Sequence, residues 1–186
     1  MESVYLGEMA NVRVFLVRQI AIRHAVEAEY RRQHHLLRRL LPRDSVIEHV
    51  GATSIPYSLT KGDLDIQVRV PRSNFRNAVT ALSRNYSRNK KSKWTAEFAA
   101  FEDSRRQIPV GVQLTVTDSP LDIFWRFRDA LRGKPSLRAQ YDALKRRHAG
   151  NNMVTYRRAK NKFINKLQRR IDSMRLSKQN AKSSES

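Results

Sequence analysis

A chain of 186 residues without a single cysteine has the length to bury a core unaided, and it excludes disulfides, thiolate zinc sites and a cysteine nucleophile. Its 37 Lys and Arg against 17 Asp and Glu leave a net charge of +20, an excess that points to a polyanion, RNA or DNA, or to a phosphate-rich ligand.

In chain order, the spacing of Val14, Val17, Ala21, Ala25, Ala28, Leu36 and Leu40 predicts one long helix over Asn11–Leu41, ended by Pro42. Val46–Val50 reads as a short strand and Gly51–Gly62 as a loop. From Asp63 to Val70 the residues alternate: Leu64, Ile66, Val68 and Val70 face one way, Asp63, Asp65, Gln67 and Arg69 the other. Pro71 stops this strand, and Ser73 is placed to cap a helix reaching about Ser83. Strands are expected near Thr95–Phe101 and Val110–Thr117. After Pro120 the chain reads as helix over Leu121–Arg132, Ser136–His148 and Met153 to about Met174. The last of these shows an apolar stripe of Met153, Tyr156, Phe163, Leu167, Ile171 and Met174. Strands in the middle and helices at both ends give the α+β class. A single domain is expected over 1–176, helical from about 121, with a polar and disordered tail over 177–186. No apolar run approaches the roughly twenty residues of a membrane span, and no signal pattern opens the chain, so a cytoplasmic protein is expected.

The charge is concentrated late. Arg132–Lys182 holds 16 Lys or Arg against two acids, Asp142 and Asp172, whereas Met1–Leu40 holds seven against four. That is more than solubility needs. Lys145, Arg146, Arg147, Arg157, Arg158, Lys160 and Lys162 are the candidate nucleic-acid contacts.

The stretch that carries chemistry is Glu48-His49-Val50-Gly51-Ala52-Thr53-Ser54, followed after eight residues by Asp63-Leu64-Asp65-Ile66. A strand ending in a glycine turn exposes backbone N–H groups, and Thr53 and Ser54 add hydroxyls beside them, which makes a cradle for a triphosphate. Two aspartates at i and i+2 share one face of the next strand. Such oxygen ligands suit Mg²⁺ or Mn²⁺, which neutralise phosphate charge and align an in-line attack. Lys61 stands just ahead, within reach of a phosphate oxygen.

A Gly-Ser turn followed by an acid-hydrophobic-acid strand resembles the nucleotidyltransferase superfamily. More closely, EHVGATSIP and KGDLDIQV resemble the GrpB family, whose hallmark is E-H-[IV]-G-S-T-S-[IV]-P followed by K-x-x-[DI]-D-[IV]. The similarity continues through WRFRDALRGKPSLRAQYDALKRRHA and YRRAKNKFINKL, covering about Val46–Leu167. The resemblance implies a nucleotidyltransferase-like mixed β-sheet flanked by helices. Three positions depart from it: Ala52 stands where serine is usual, Gln113 where a third carboxylate or the histidines of the GrpB type are sought, and Tyr57-Ser58 where Gly-Leu is common.

The expectation is therefore a metal-dependent protein that moves a nucleoside monophosphate from an NTP to an acceptor, an RNA such as tRNA. Asp63 and Asp65 hold the metal; Gly51, Ala52, Thr53, Ser54 and Lys61 hold the triphosphate. The alternative is a non-catalytic nucleic-acid- or nucleotide-binding module on the same fold, favoured by Gln113; a nucleotide-binding accessory domain of an assembly is a third reading. Plainer roles stand beside these. Asp63 and Asp65 suit the solvated face of an edge strand, His49 a structural hydrogen bond, Ser54 a loop cap. Phe124, Trp125, Phe127, Tyr141, Tyr156 and Phe163 suit a core.

Overall fold

Residues 13–183 are described by the computed structural model. In chain order they form β1 (Val17–Arg18), α1 (Gln19–Leu40), β2 (Val46–Val50), β3 (Leu59–Thr60), β4 (Leu64–Val70), α2 (Phe75–Ser83), β5 (Ser87–Arg88), β6 (Phe98–Asp103), β7 (Val110–Val116), α3 (Phe124–Gly133), α4 (Pro135–Arg147) and α5 (Met153–Ser183). They divide into two compact units: Leu16–Arg138, and the described parts of Met1–Phe15 with Ala139–Ser186.

The first unit is built on a mixed five-stranded sheet of order β2-β4-β7-β6-β5, flanked by helices as expected. β4 and β7 run parallel, with Leu64 opposite Val110 and Val70 opposite Val116; the other pairs are antiparallel. Alternation along β4 and β7 sends Ile66, Val68, Val70, Val112, Leu114 and Val116 to one face. There they join Val26, Leu37, Phe75, Ala78, Leu82 and Phe101 in a single apolar cluster. β4 lies inside the sheet, so Asp63 and Asp65 do not guard an edge. α2 starts without a side-chain cap, and Ser73 sits in the 3₁₀ turn before it.

α1 begins later than its apolar spacing suggests. Val17–Arg18 pairs as a strand with Leu59–Thr60, and the Gln19 amide donates to Ser58 O at 2.8 Å, which ties the helix start to the loop after the glycine turn. Asn11 lies outside the described residues. The buried face of α1 also differs: Gln19, Val26, Glu29, Gln33 and Leu37 are buried, and Ala21 and Ala25 are exposed. A polar network explains this. Tyr86 donates to Gln33 (2.5 Å), Gln33 to Glu29 (2.7 Å), and Arg32 and Arg106 bring positive charge to the same carboxylate. Burial pushes the Glu29 pKa up, but these hydrogen bonds and charges outweigh it and hold the group below its ordinary value.

The opposite sheet face is polar, and the Gln67 side chain is hydrogen-bonded through both its amide and its carbonyl. Its amide donates to Thr115 Oγ1 (3.0 Å) and Asp122 Oδ1 (2.8 Å), and its carbonyl accepts from the Trp125 amide at the start of α3 (2.9 Å). Arg69 grips Asp122 through two bonds of 2.7 Å and stacks on the Trp125 ring. β4 thus fixes where α3 starts.

In the second unit, Tyr141 stacks on Phe163 with ring centroids 5.3 Å apart, and Met153, Tyr156 and Leu167 are buried. Gly150, at φ +77°, turns the chain so that its amide reaches Val14 O. α5 runs to Ser183, past the end expected near Met174 and through most of the stretch read as a disordered tail, because neither Pro nor Gly interrupts it. The side chains of Ile171 and Met174 and residues 184–186 lie outside what is described. Among the described residues no helix is long and apolar enough to cross a membrane.

Candidate active site

β2 ends at Val50 and the chain reverses at Gly51, where φ is +73°. Glycine is required twice over, by that torsion and by space, since a Cβ here would run into the Asp65 carboxylate. Ala52–Ser54 then form one 3₁₀ turn, closed by Ser54 N to Gly51 O (3.3 Å) and Ile55 N to Ala52 O (3.2 Å). The two hydroxyls turn inward. Ser54 Oγ donates to Gly51 O (2.7 Å) and Thr53 Oγ1 to Asp63 O (3.0 Å), and both residues are buried. They shape the turn, as the plainer reading of Ser54 has it. The amides of Ala52 and Thr53 precede the first internal bond of the turn and take no part in it.

Asp65 lies on β4 and Asp63 just ahead of its first residue, both half-buried. Asp65 lies between two glycines. A Cβ on Gly111 of β7 would meet its Oδ1 at 3.2 Å, and Gln113 Nε2 donates to that same oxygen at 3.3 Å. Lys61 pairs with Asp63 at 3.0 Å. Among the described residues no third acid or histidine joins the pair closely enough to complete a metal cluster. Glu102, unremarked in the sequence, shares this face on β6 in register with Gly111, which is itself in register with Asp65. Two strand spacings separate it from Asp65, about 9–10 Å. The donor set nevertheless fits a hard divalent cation in kind. It has two carboxylates, and the Gln113 Oε1 is a buried oxygen without a hydrogen-bond partner.

His49 faces the other way from Glu48 and stacks on Tyr30, with centroids 5.2 Å apart. Its Nε2 lies 3.0 Å from Thr53 Oγ1. Because that hydroxyl spends its proton on Asp63 O, the ring must be the donor, which assigns the neutral Nε2–H tautomer. Burial, with help from Arg132 and Arg128, lowers the His49 pKa from 6.5 to about 4. The histidine is thus a structural strut of the turn.

Two arginines missed in the sequence complete the support. Arg128 reaches from α3 to His49 O (3.0 Å) and Glu48 Oε1 (3.1 Å); Arg132, one turn later, places Nε and Nη2 on Ser54 O at 2.9 and 2.6 Å. The i, i+4 spacing of the two was visible in the sequence; the targets, 78 to 80 residues upstream, were not.

The candidate nucleic-acid residues sort unevenly. Arg146, Arg147, Arg158 and Lys162 are exposed, while Arg157 and Lys160 are half-buried and engaged in contacts. Lys145 is a correction: it is fully buried, with its ammonium 3.2 Å from Asp142 and over the Tyr141 ring, so it is no surface cation. Lys166 and Arg170, both exposed, extend Arg158 and Lys162 at four-residue steps along α5.

The sequence profile of the GrpB family (GrpB protein) matches residues 17–170. The chain belongs to the GrpB family. A UPF0157 protein of Vibrio cholerae is 37% identical over 139 residues, 74% of this chain and 73% of that protein. The crystal structure of the conserved protein GrpB from Enterococcus faecalis superposes with a TM-score of 0.64 at 21% identity, covering 78% of this chain and 92% of that one, and so shares the fold. The Cid1 poly(U) polymerase with MgGTP bound reaches a TM-score of only 0.46 at 12% identity, over 77% of this chain and 45% of that one, too weak to assign a shared fold. The span matched to GrpB contains the whole candidate site, from β1 through α3, and α5 as far as Arg170.

Proposed function

We propose that this GrpB-family protein is a metal-dependent nucleotidyltransferase, moving a nucleoside monophosphate from an NTP to an RNA such as tRNA in the cytoplasm. The observation that carries the reading is the seating of Asp65 against Gly51: the acid of the β4 strand and the phosphate turn meet at one point, with Asp63 beside them. Asp63 and Asp65 would hold Mg²⁺ or Mn²⁺, with the Gln113 amide oxygen as a neutral helper. When bound, the cation offsets phosphate charge and polarises the α-phosphorus. The amides of Ala52 and Thr53 hold a phosphate oxygen, and Lys61 exchanges Asp63 for phosphate as the NTP enters. The acceptor hydroxyl oxygen bonds to the α-phosphorus as the bond to pyrophosphate breaks; the hydroxyl proton passes to solvent, since Gln113 cannot take it. The exposed cations of α4 and α5 engage the acceptor backbone.

One observation favours a second reading. With Gln113 in place of an acid and no complete metal cluster among the described residues, the fold serves as a non-catalytic binding module. Incubating the protein with each α-labelled NTP, total RNA and Mg²⁺ or Mn²⁺ separates the two. Label in RNA that disappears in Asp63→Asn/Asp65→Asn supports transfer. RNA binding that weakens steeply with salt, without label, supports the module.

A further inference from the structure

A second concavity opens beside the glycine turn, away from the aspartates. It encloses about 210 Å³, and Gln19, His49, Thr53, Tyr57 and Arg132 are among its lining residues; Asp63 and Asp65 are not. Strand alternation accounts for the separation: Glu48, paired with Gln67, shares the face of Asp65, and His49 points to the other.

Four groups here bear on a ligand. Tyr57 has φ +63°. It is the third residue of a turn closed by Ser58 N to Ile55 O, with Pro56 before it, the pattern of a type II turn that calls for glycine at this position. The chain instead holds an aromatic in a left-handed conformation and leaves it 64% exposed. Gln19 is 7% exposed, and it lines the pocket. Arg132 meets the Ser54 carbonyl but no carboxylate among the described residues. His49, a neutral donor to Thr53, keeps its Nδ1 as an acceptor.

Arg23 and Glu27 also line the pocket but pair with each other, which leaves Arg132 as its uncompensated cation. With an exposed ring, an amide with donor and acceptor and an imidazole nitrogen, this matches a planar heterocycle bearing an anionic group. The volume falls below the roughly 300–1,000 Å³ of pockets that enclose drug-sized ligands, so the concavity is too small to enclose a nucleoside triphosphate. We propose that this pocket binds one nucleoside monophosphate unit, its base against Tyr57, its edge read by Gln19 and His49, and its phosphate at Arg132. The unit is a free mononucleotide or one unstacked residue of a single strand. The site does not depend on the transfer reaction.

The test is calorimetric titration of the full chain in EDTA with AMP, GMP, CMP and UMP, and with single-stranded hexaribonucleotides. Saturable binding of at least one of them is expected. Tyr57→Phe retains it, whereas Tyr57→Gly and Gln19→Leu each weaken it about fivefold or more. Tyr57→Gly leaves the Tm unchanged or raised, because glycine suits the torsion, so lost affinity there is not lost folding. Asp63→Asn/Asp65→Asn abolishes transfer but not this binding, which keeps the two proposals separable. Equal affinity for hexamer and monomer identifies a mononucleotide site, and a tighter hexamer a strand site. The proposal is overturned if no nucleotide binds at millimolar concentration, if Tyr57→Gly binds as wild type, or if the double aspartate variant alone removes binding.

Discussion

At Gly51 a torsion and a volume make the same demand. Alanine there would carry the left-handed penalty and displace the Asp65 carboxylate, so Gly51→Ala is expected to cost about 2–4 kcal/mol of stability, read by urea denaturation. His49 makes a prediction in pH. Its folded pKa of about 4 lies below the unfolded value of 6.5, so between these limits the unfolded chain binds more protons than the folded one. Its contribution is complete above pH 6.5 and drains away as pH falls towards 4, on the order of 3 kcal/mol in all. His49→Gln should flatten the dependence of stability on pH across that window. A variant with wild-type slope between pH 6.5 and 4 would mean that His49 is not the neutral strut described here.

Among the elements, β4 was the most legible, because one face is buried and the period of two is unbroken over seven residues. The same alternation puts Asp65 on the face of Gln67 and Arg69. α1 was legible as a helix but not in its start or its buried face. Val17 and Arg18 find strand partners at Leu59 and Thr60, far along the chain, and Glu29 and Gln33 are buried through hydrogen bonds that an apolar pattern does not register. In α3 the aromatics are legible in the sequence but the roles of Arg128 and Arg132 are not, because their carbonyl targets have no sequence signature. The junction of β4 and α3 is expected to be brittle. Asp122 is buried beneath Arg69 and Gln67, and Arg69 keeps its pKa low against the pull of burial. Asp122→Asn would strand the guanidinium at a cost of about 3–5 kcal/mol in equilibrium unfolding. Losing the seat of α3 would also loosen Arg128 and Arg132 on the turn.

Over the whole molecule, charge was the loudest signal and the least local. It located the basic third of the chain, yet counted Lys145, whose ammonium is buried on Asp142, together with Arg158 and Lys162, which are exposed. On α5, exposed cations four residues apart recur about every 6 Å, a row that suits successive phosphates. Arg158→Gln/Lys162→Gln/Lys166→Gln should weaken single-stranded RNA binding for every sequence tested. It should also lower the slope of log K against log salt by about two. An unchanged slope would move the RNA surface elsewhere.

The central claim is that the Gly51 turn and the two aspartates perform transfer, and a single gel tests it most directly. Wild type and Asp63→Asn/Asp65→Asn are incubated with each α-labelled NTP, Mg²⁺ or Mn²⁺ and total RNA. Label in RNA from at least one NTP with the wild type, and none with the folded double variant, is the predicted result. Equal labelling by both proteins, or none by either while RNA binding persists, would contradict it.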